Sequence, residues 1–197
     1  LRPVRSESVD FDTTRNLFIE GDNLEALKLL QETYLGRVKM IYIDPPYNTG
    51  NDFVYEDDFA ESTAEFLAKS NQVDEAGNRL VANTQANGRF HSDWLSFIYP
   101  RLTRARDLLS SNGAIFISID DCEYSNLSRV CAEVFGAENY VSTLIWKSRQ
   151  IIDSRNKSNA SSDHEYILVY AKSISDFSLR GKEISDLKYS NPDNDPR

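Results

Sequence analysis

The sequence contains few residues of the kinds that build disulfide or metal sites. Its two cysteines, Cys122 and Cys131, follow no metal-ligand spacing, and the only histidines are His91 and His164. We therefore predict two free thiols, as is usual in a reducing cytoplasm, and no metal site.

Membrane and secretion signals are also missing from the sequence. No apolar run approaches the roughly 20 residues that a helix needs to cross a bilayer. Residues 1–10 are polar and charged, so they lack the apolar region of a secretory signal. These absences predict a cytoplasmic protein that does not bind a membrane.

A glycine-rich nucleotide-binding motif is absent, and cations are few. None of the eight glycines forms a Gly-x-Gly pair, which excludes the usual dinucleotide fingerprint. The 22 Lys and Arg residues face 31 Asp and Glu residues, which leaves a net charge of −9. Such a balance is unfavourable for binding nucleic acid, because phosphates need cationic partners.

The segment 147–157 is basic against this acidic background. Its composition favours contact with nucleic acid, and a solvated surface loop is the alternative. The cations of this segment are Lys147, Arg149, Arg155 and Lys157.

What the sequence does contain is an alternation of strand-like and helix-like segments. Short apolar runs predict strands at 17–19, 38–43, 114–119, 140–146 and 165–170. Apolar residues at helical spacing predict helices at 24–34, 63–69 and 90–109, and a fourth helix that ends at Gly136. Polar stretches predict loops at 48–62, 70–88 and 148–163. The alternation is typical of an α/β fold with a mostly parallel sheet and helices on both faces.

Several helix boundaries carry recognisable signals. Asp22, followed three positions later by Glu25, matches a capping box at the start of the first helix. Pro100 is expected to kink the third predicted helix or to restart it. Asp120 and Asp121 are expected to cap the fourth.

The motif Asp44-Pro45-Pro46-Tyr47 directly follows the strand predicted at 38–43. In open α/β sheets, ligands bind at the carboxyl ends of the strands. The two prolines fix φ near −65° and remove two N–H donors, which stiffens the loop. The loop therefore presents a carboxylate, a backbone carbonyl and an aromatic ring at one place.

These three groups suit the methylation of an exocyclic amine on a nucleobase. Such an amine is a poor nucleophile, because its lone pair is delocalised into the ring. Hydrogen bonds from its N–H groups to the Asp44 carboxylate and the Pro45 carbonyl would localise that lone pair. The ring of Tyr47 offers a stacking face for a base swung out of a duplex.

The segment Asp44–Gly50 resembles motif IV of the amino-methyltransferases, in the form found in type III modification subunits. The resemblance continues along most of residues 16–172, in the order in which that family carries its motifs. The other similar segments are Asn16–Leu30, Tyr99–Glu123, Val134–Trp146 and His164–Lys172.

The resemblance implies a Rossmann-like fold and transfer of a methyl group from S-adenosylmethionine to adenine N6 in DNA after base flipping. The implied catalytic residues are Asp44, Pro45, Pro46 and Tyr47. The implied cofactor contacts are Asp22 and Asn23, although Asp22 also fits a plain helix cap. The expected base pocket contains Asn48, Phe53, Tyr55, His164 and Tyr166, for which loop shaping or packing is the alternative.

The same resemblance implies macromolecular partners. They are double-stranded DNA, a helicase-nuclease restriction subunit and a second copy of the modification subunit. It also places the basic cluster, Lys147 with Arg149, Arg155 and Lys157, beside the expected cleft, where it would contact DNA.

Two other functions are open at this stage. Cytosine-N4 methylation uses the same amine chemistry, although that branch commonly carries Ser where this sequence has Asp44. The other alternative is a catalytically silent segment that serves DNA docking or assembly.

The family's motif order sets an expectation for domain organisation. A recognition region and a glycine-rich S-adenosylmethionine loop are expected after these motifs, and neither is found within the 197 residues. We therefore expect residues 1–172 to form part of a catalytic domain, with 173–197 as a polar segment leading towards the recognition region. We expect the isolated chain to be inactive.

Overall fold

The computed structural model of the protein describes residues 2–49, 89–148 and 163–181, together with the backbone of 53–55 and 80–82. Its helices are α1 (Asn23–Tyr34), α2 (Phe90–Leu108) and α3 (Tyr124–Phe135). Its strands are β1 (Val38–Ile43), β2 (Phe53–Tyr55), β3 (Leu80–Ala82), β4 (Leu109–Ile119), β5 (Tyr140–Lys147) and β6 (His164–Ala171). Across these ranges, no helix has both the length and the apolar composition needed to cross a membrane.

Four of the described strands form one sheet in the order β1-β4-β6-β5. β1 and β4 are parallel, whereas β6 runs antiparallel to both of its neighbours. The α/β class is confirmed, but the described sheet is mixed and not mostly parallel. Antiparallel neighbours can be joined without a crossover helix, and the segment between β5 and β6 carries no helical periodicity.

The hydrophobic core lies between the helices and one face of the sheet. Ile115, Ile117 and Ile119 alternate along β4 on this face, and all three are fully buried. α2 packs against both α1 and α3. Among the described residues, α2 and α3 contribute to this core, and α1 packs on α2.

The opposite face of the sheet is much more exposed. Met40 and Tyr42 on β1 are 57% and 55% exposed, and Trp146 on β5 is 60% exposed. β1 is parallel to its neighbour as predicted, but it lies at the end of the described sheet and is not fully buried. This open face carries the pocket described below.

Three sequence predictions fail or lie outside the described residues. Residues 17–19 form no strand, because no described strand pairs with them, and Phe18 is 93% exposed. β2 and β3 pair antiparallel within segments that we predicted as loops. The prediction missed them because three residues are too few to show a clear hydrophobic period. The helix predicted at 63–69 lies outside the described residues.

The boundaries of α1 agree with the sequence. The backbone N–H of Glu25 donates to Asp22 Oδ1 at 2.8 Å, which is the predicted cap. Gly36 follows the helix with φ of +64°, in the left-handed region that favours glycine. The helix therefore begins and ends where its capping residues indicate.

The boundaries of α2 and α3 agree less well. α2 is continuous through Pro100, so no restart occurs. Asp120 and Asp121 do not cap α3, whose N-cap position is occupied by Glu123. Asp120 instead accepts the Cys122 backbone N–H at 2.9 Å, as a turn residue does.

Gly113 lies where β4 crosses close to β1. A Cβ atom at this position would be 2.8 Å from the carbonyl oxygen of Val38 and 3.1 Å from that of Lys39. Both neighbours are backbone atoms of a paired strand, so Gly113→Ala is expected to lower the free energy of unfolding by about 1–3 kcal/mol. Urea denaturation measures this as a lower midpoint at constant slope.

The matched control for this prediction is Gly181→Ala. A Cβ atom at Gly181 meets no atom within 4 Å, so its midpoint is expected to change little. Equal midpoints for the two variants would show that the β1–β4 contact has room for a methyl group.

Candidate active site

The loop 44–48 leaves the carboxyl end of β1 and forms one wall of a pocket of about 210 Å³ on the open face of the sheet. Ligand pockets in proteins usually measure about 300–1,000 Å³, so this pocket suits a single small group. The lining residues are Tyr42, Asp44, Tyr47, Ser118, Trp146, Glu165, Tyr166 and Ile167.

Two buried side chains, Trp94 and Glu123, hold the loop by hydrogen bonds. The indole N–H of Trp94 donates to the Pro46 carbonyl at 2.7 Å, and Trp94 is fully buried. Asn48 has φ of +60° and is 1% exposed. Its side-chain amide donates to Glu123 Oε1 at 2.5 Å and to the Phe90 carbonyl at 3.3 Å. The loop is therefore fixed on both sides of Tyr47.

The hydroxyl group of Tyr47 lies near two carboxylates. It donates to Glu165 Oε2 at 3.2 Å. Burial raises the pKa of Tyr47, and the nearby charges of Asp44 and Glu165 raise it further. The phenol thus stays protonated at neutral pH, and its hydrogen bond fixes the direction of the ring.

Asp44 is exposed at the mouth of the pocket, on the same wall as Tyr47. Its carboxylate can accept hydrogen bonds from a group that enters. Two other lining residues, Tyr42 and Ser118, share a hydrogen bond between their hydroxyl groups. The pocket thus combines an acceptor at its entrance with aromatic rings around it.

Tyr166 connects the pocket to the loop after β4. Its hydroxyl donates to Asp121 Oδ1 at 2.8 Å, and this bond raises the pKa of Tyr166. His164 Nε2 lies 3.0 Å from the same hydroxyl oxygen. Because that hydroxyl has one proton and gives it to Asp121, His164 Nε2 is the donor.

Comparison with known proteins identifies the family to which this chain belongs. The model of a DNA methylase family (N6_N4_Mtase) matches residues 38–195, which is more than half of the chain. The chain belongs to this DNA methylase family. The match includes the loop 44–48 and all four strands of the described sheet.

Curated relatives of this DNA methylase include type III modification subunits. It is 47% identical over 178 residues to the Mod subunit of the type III restriction-modification enzyme EcoP15I from Escherichia coli, covering 89% of this chain and 27% of the relative. It is 49% identical over 162 residues to the EcoPI Mod subunit from Escherichia phage P1, covering 81% of this chain and 25% of the relative. The chain thus spans about a quarter of the length of these relatives.

Solved structures similar to the methylase include M1.HpyAVI in complex with SAM. That likeness has a TM-score of 0.47 at 17% identity and covers 87% of this chain and 60% of the other. The complex of TTHA0409, a DNA modification methylase from Thermus thermophilus, with S-adenosyl-L-methionine gives a TM-score of 0.47 at 13% identity, over 84% and 55% of the two chains.

The structure brings some of the residues predicted for the methylase site together. Asp44, Tyr47 and Tyr166 line the pocket, and Pro45 and Pro46 carry the loop between the first two. Asn48 was predicted to belong to the base pocket, but it does not line the pocket described here. It is buried beneath the loop, and its amide donates to Glu123.

Other predicted site residues lie away from the pocket or outside the described part. His164 lies behind Tyr166, and Phe53 and Tyr55 lie in β2, where only the backbone is described. Lys147 is exposed at the end of β5. Arg149, Arg155 and Lys157 lie outside the described residues, so their contact with DNA stays a prediction.

Asp22 and Asn23 lie at the start of α1, and both side chains already have protein partners. Asp22 caps the helix, and Asn23 Oδ1 accepts the Arg101 Nε–H at 2.7 Å. A carboxylate has room for more than one hydrogen bond. The cap therefore leaves Asp22 able to bind a ligand as well.

Sequence reasoning missed five of the residues that line the pocket, and it missed Glu123 beneath the loop. The five are Tyr42, Ser118, Trp146, Glu165 and Ile167. Trp146 and Glu165 face each other across β5 and β6 and both line the pocket. A glutamate one position into an apolar strand was the available signal for Glu165, because strand residues alternate between faces. For Glu123, which is fully buried against Asn48, the sequence shows only an acid near a helix start.

Proposed function

We propose that this methylase transfers the methyl group of S-adenosylmethionine to adenine N6 in double-stranded DNA, within a type III modification subunit. The observation that carries the proposal is the pocket at the end of β1, which is lined by Asp44 and Tyr47, the two residues that flank Pro45-Pro46 in the loop. The similarity to type III Mod subunits over most of the chain supports it.

The proposed chemistry rests on two acceptors for the amine of the base. Asp44 would accept one N–H with its carboxylate, which forms the stronger bond. The Pro46 carbonyl already accepts the Trp94 N–H, so we assign the second acceptor to the Pro45 carbonyl. Together they would favour a tetrahedral nitrogen with a localised lone pair, ready to displace a sulfur leaving group in line.

The base would be held between aromatic rings. Tyr47 provides one stacking face, and its hydrogen bond to Glu165 sets the tilt of the ring. Trp146 lines the same pocket and is 60% exposed, so its indole is available as a second face. A flipped base is recognised in this way by enzymes that act on it outside the duplex.

S-adenosylmethionine would supply the methyl group as an electrophilic sulfonium. The residues at the start of α1 fit its ribose, because Asp22 is exposed and can accept hydroxyl protons in addition to the Glu25 N–H. We assign cofactor contact to Asp22, with Asn23 beside it.

DNA and protein partners complete the proposal. Lys147 lies next to Trp146 at the open end of β5, where a cation would meet the phosphates flanking a flipped base. Arg149, Arg155 and Lys157 follow it in the sequence. A restriction subunit is proposed as a protein partner, in line with the names of the relatives. A second modification subunit is proposed as well, on the family resemblance alone.

The test of this function is tritium transfer from labelled S-adenosylmethionine to duplex DNA by the full-length protein. Nucleoside chromatography of the product should show N6-methyladenine. A labelled N4-methylcytosine peak would favour the cytosine alternative, and no labelled nucleoside at all would favour a docking role.

The cap and cofactor roles of Asp22 can be separated by substitution. Asn caps a helix about as well as Asp, so Asp22→Asn in the full-length protein should leave the unfolding midpoint nearly unchanged. Losing a charged hydrogen bond should nevertheless weaken S-adenosylmethionine binding about tenfold. Calorimetric titration measures the dissociation constant.

Asp12→Asn is the matched control, because Asp12 is an exposed acid paired with Arg5 at 3.1 Å. If the Asp22 and Asp12 variants bind S-adenosylmethionine with equal affinity, Asp22 only caps the helix and does not contact the cofactor.

A further inference from the structure

Glu123 is the only fully buried carboxylate among the described residues, with 0% of its side chain exposed. Burying a charge costs several kcal/mol unless it is paired and hydrogen-bonded. Glu123 stands at the N-cap position of α3 but makes no side-chain capping bond. Helix capping therefore does not account for it.

The carboxylate of Glu123 instead joins three parts of the fold. Its Oε1 atom accepts the Asn48 Nδ2–H at 2.5 Å and lies 2.6 Å from His91 Nδ1. Its Oε2 atom accepts the Asn126 Nδ2–H at 2.8 Å, within α3. One oxygen thus connects the residue after Tyr47 with the first turn of α2.

Asn48 is the point at which this carboxylate acts on the candidate active site. Its φ of +60° is left-handed, a conformation that costs a side-chain-bearing residue free energy and persists when its surroundings hold it. On the other side of Tyr47, the Trp94 N–H holds the Pro46 carbonyl. Tyr47 is therefore clamped between two anchors, and Glu123 supplies one of them.

We propose that Glu123 is a positioning residue for the methyl transfer proposed above, and the inference rests on that function. Glu123 does not line the pocket. It holds Asn48 in its left-handed conformation and thereby keeps Tyr47 and Asp44 in the geometry that the reaction needs.

The test reverses donor and acceptor in the Asn48–Glu123 hydrogen bond of the full-length protein. Asn48→Asp sets two carboxylates against each other in a buried place, and kcat is expected to fall about 10²-fold, as for a misplacement of about 1 Å. Adding Glu123→Gln restores a donor–acceptor pair of reversed polarity. The double variant should regain at least about tenfold in kcat, because contacting residues couple.

Asn126→Asp is the matched control, since it sets a carboxylate against the other oxygen of Glu123. If Glu123 serves stability alone, Asn126→Asp and Asn48→Asp should lower the melting temperature and kcat alike. If Glu123 positions the loop, kcat should fall at least about tenfold less in Asn126→Asp. KM for S-adenosylmethionine should change little in either variant.

Hydrogen exchange of the amides of residues 47–49 gives a readout that needs no substrate. It should quicken in Asn48→Asp and slow again in the double variant. If wild-type protein transfers no methyl group, the proposed function fails, and the exchange result still decides the role of Glu123. Should the aspartate variants not fold, Glu123→Leu decides, because leucine offers Asn48 no acceptor: a lower kcat together with faster exchange at residues 47–49 supports positioning.

Two results overturn the inference: a double variant no better than Asn48→Asp in both kcat and exchange, or a Glu123→Leu enzyme, which has no acceptor for Asn48, with wild-type kcat and exchange.

Discussion

Replacing Asp44 with alanine in the full-length protein is expected to lower kcat for methyl transfer by about 10²–10³-fold, the range for a lost transition-state hydrogen-bonding group. Asp44 lies exposed at the pocket mouth, where the amine of a bound base would meet it. Its acceptor oxygen matters most as the nitrogen becomes tetrahedral, so the loss should appear in kcat and not in DNA affinity. Tritium transfer beside a gel-shift titration measures both.

Two further variants sharpen this prediction. Asp44→Asn keeps the shape and one acceptor oxygen but removes the charge, so its kcat should lie between those of wild type and Asp44→Ala. Glu165→Gln removes the charge of the other carboxylate beside Tyr47 and should be milder, because its bond from Tyr47 survives. Near-normal turnover by Asp44→Ala would sink the assignment of this residue.

Replacing Tyr47 with alanine should remove the stacking face of the pocket. Base–aromatic stacking is worth about 1–3 kcal/mol per base, so kcat/KM is expected to fall about five- to 150-fold. Fluorescence of 2-aminopurine at the target position should fall with it, because fewer bases remain flipped. The change leaves the Trp94–Pro46 bond in place, so folding should be kept.

Tyr47→Phe is the control for ring against hydroxyl. It keeps the stacking face and loses the hydroxyl group, with its 3.2 Å bond to Glu165 and its interaction with Asp44, so it should retain most of the activity. If phenylalanine proves as poor as alanine, the hydroxyl group, and not the ring, carries the role of Tyr47.

Some local features of this fold were predictable, because they depend on neighbours in sequence. The cap of α1 needs only Asp22 and Glu25, and these residues form the bond that their spacing indicates. The strand leading into Asp44-Pro45-Pro46 was visible as a short apolar run before two prolines. Chemistry at the end of a strand then followed from general rules for α/β sheets.

The features that sequence reasoning missed depend on distant residues. Tyr47 and Glu165 are 118 positions apart, and Asn48 and Glu123 are 75 apart. Nothing in the local pattern around Glu123 says that its carboxylate turns inward instead of capping α3. The prediction that Asn48 belongs to the pocket failed because its side chain turns inward to the distant Glu123, whereas the adjacent Tyr47 lines the pocket.

The predicted sheet was wrong where a strand depends on its neighbours in the sheet. Residues 17–19 have the composition of a strand, but a strand exists only when another chain segment accepts its hydrogen bonds. The direction of β6 is likewise set by its neighbours β4 and β5, with which it pairs antiparallel.

The position of β6 also governs when the pocket forms during synthesis. β6 is the last described strand to leave the ribosome, yet it lies between β4 and β5. Until residues 164–171 emerge, β5 has no strand beside it in the described sheet, and Trp146 stands on an unpaired edge. Glu165 arrives with the same segment. A nascent chain that ends before residue 164 therefore carries Asp44 and Tyr47 but lacks Glu165, Tyr166 and Ile167, so the pocket is complete only once β6 has paired with its two neighbours.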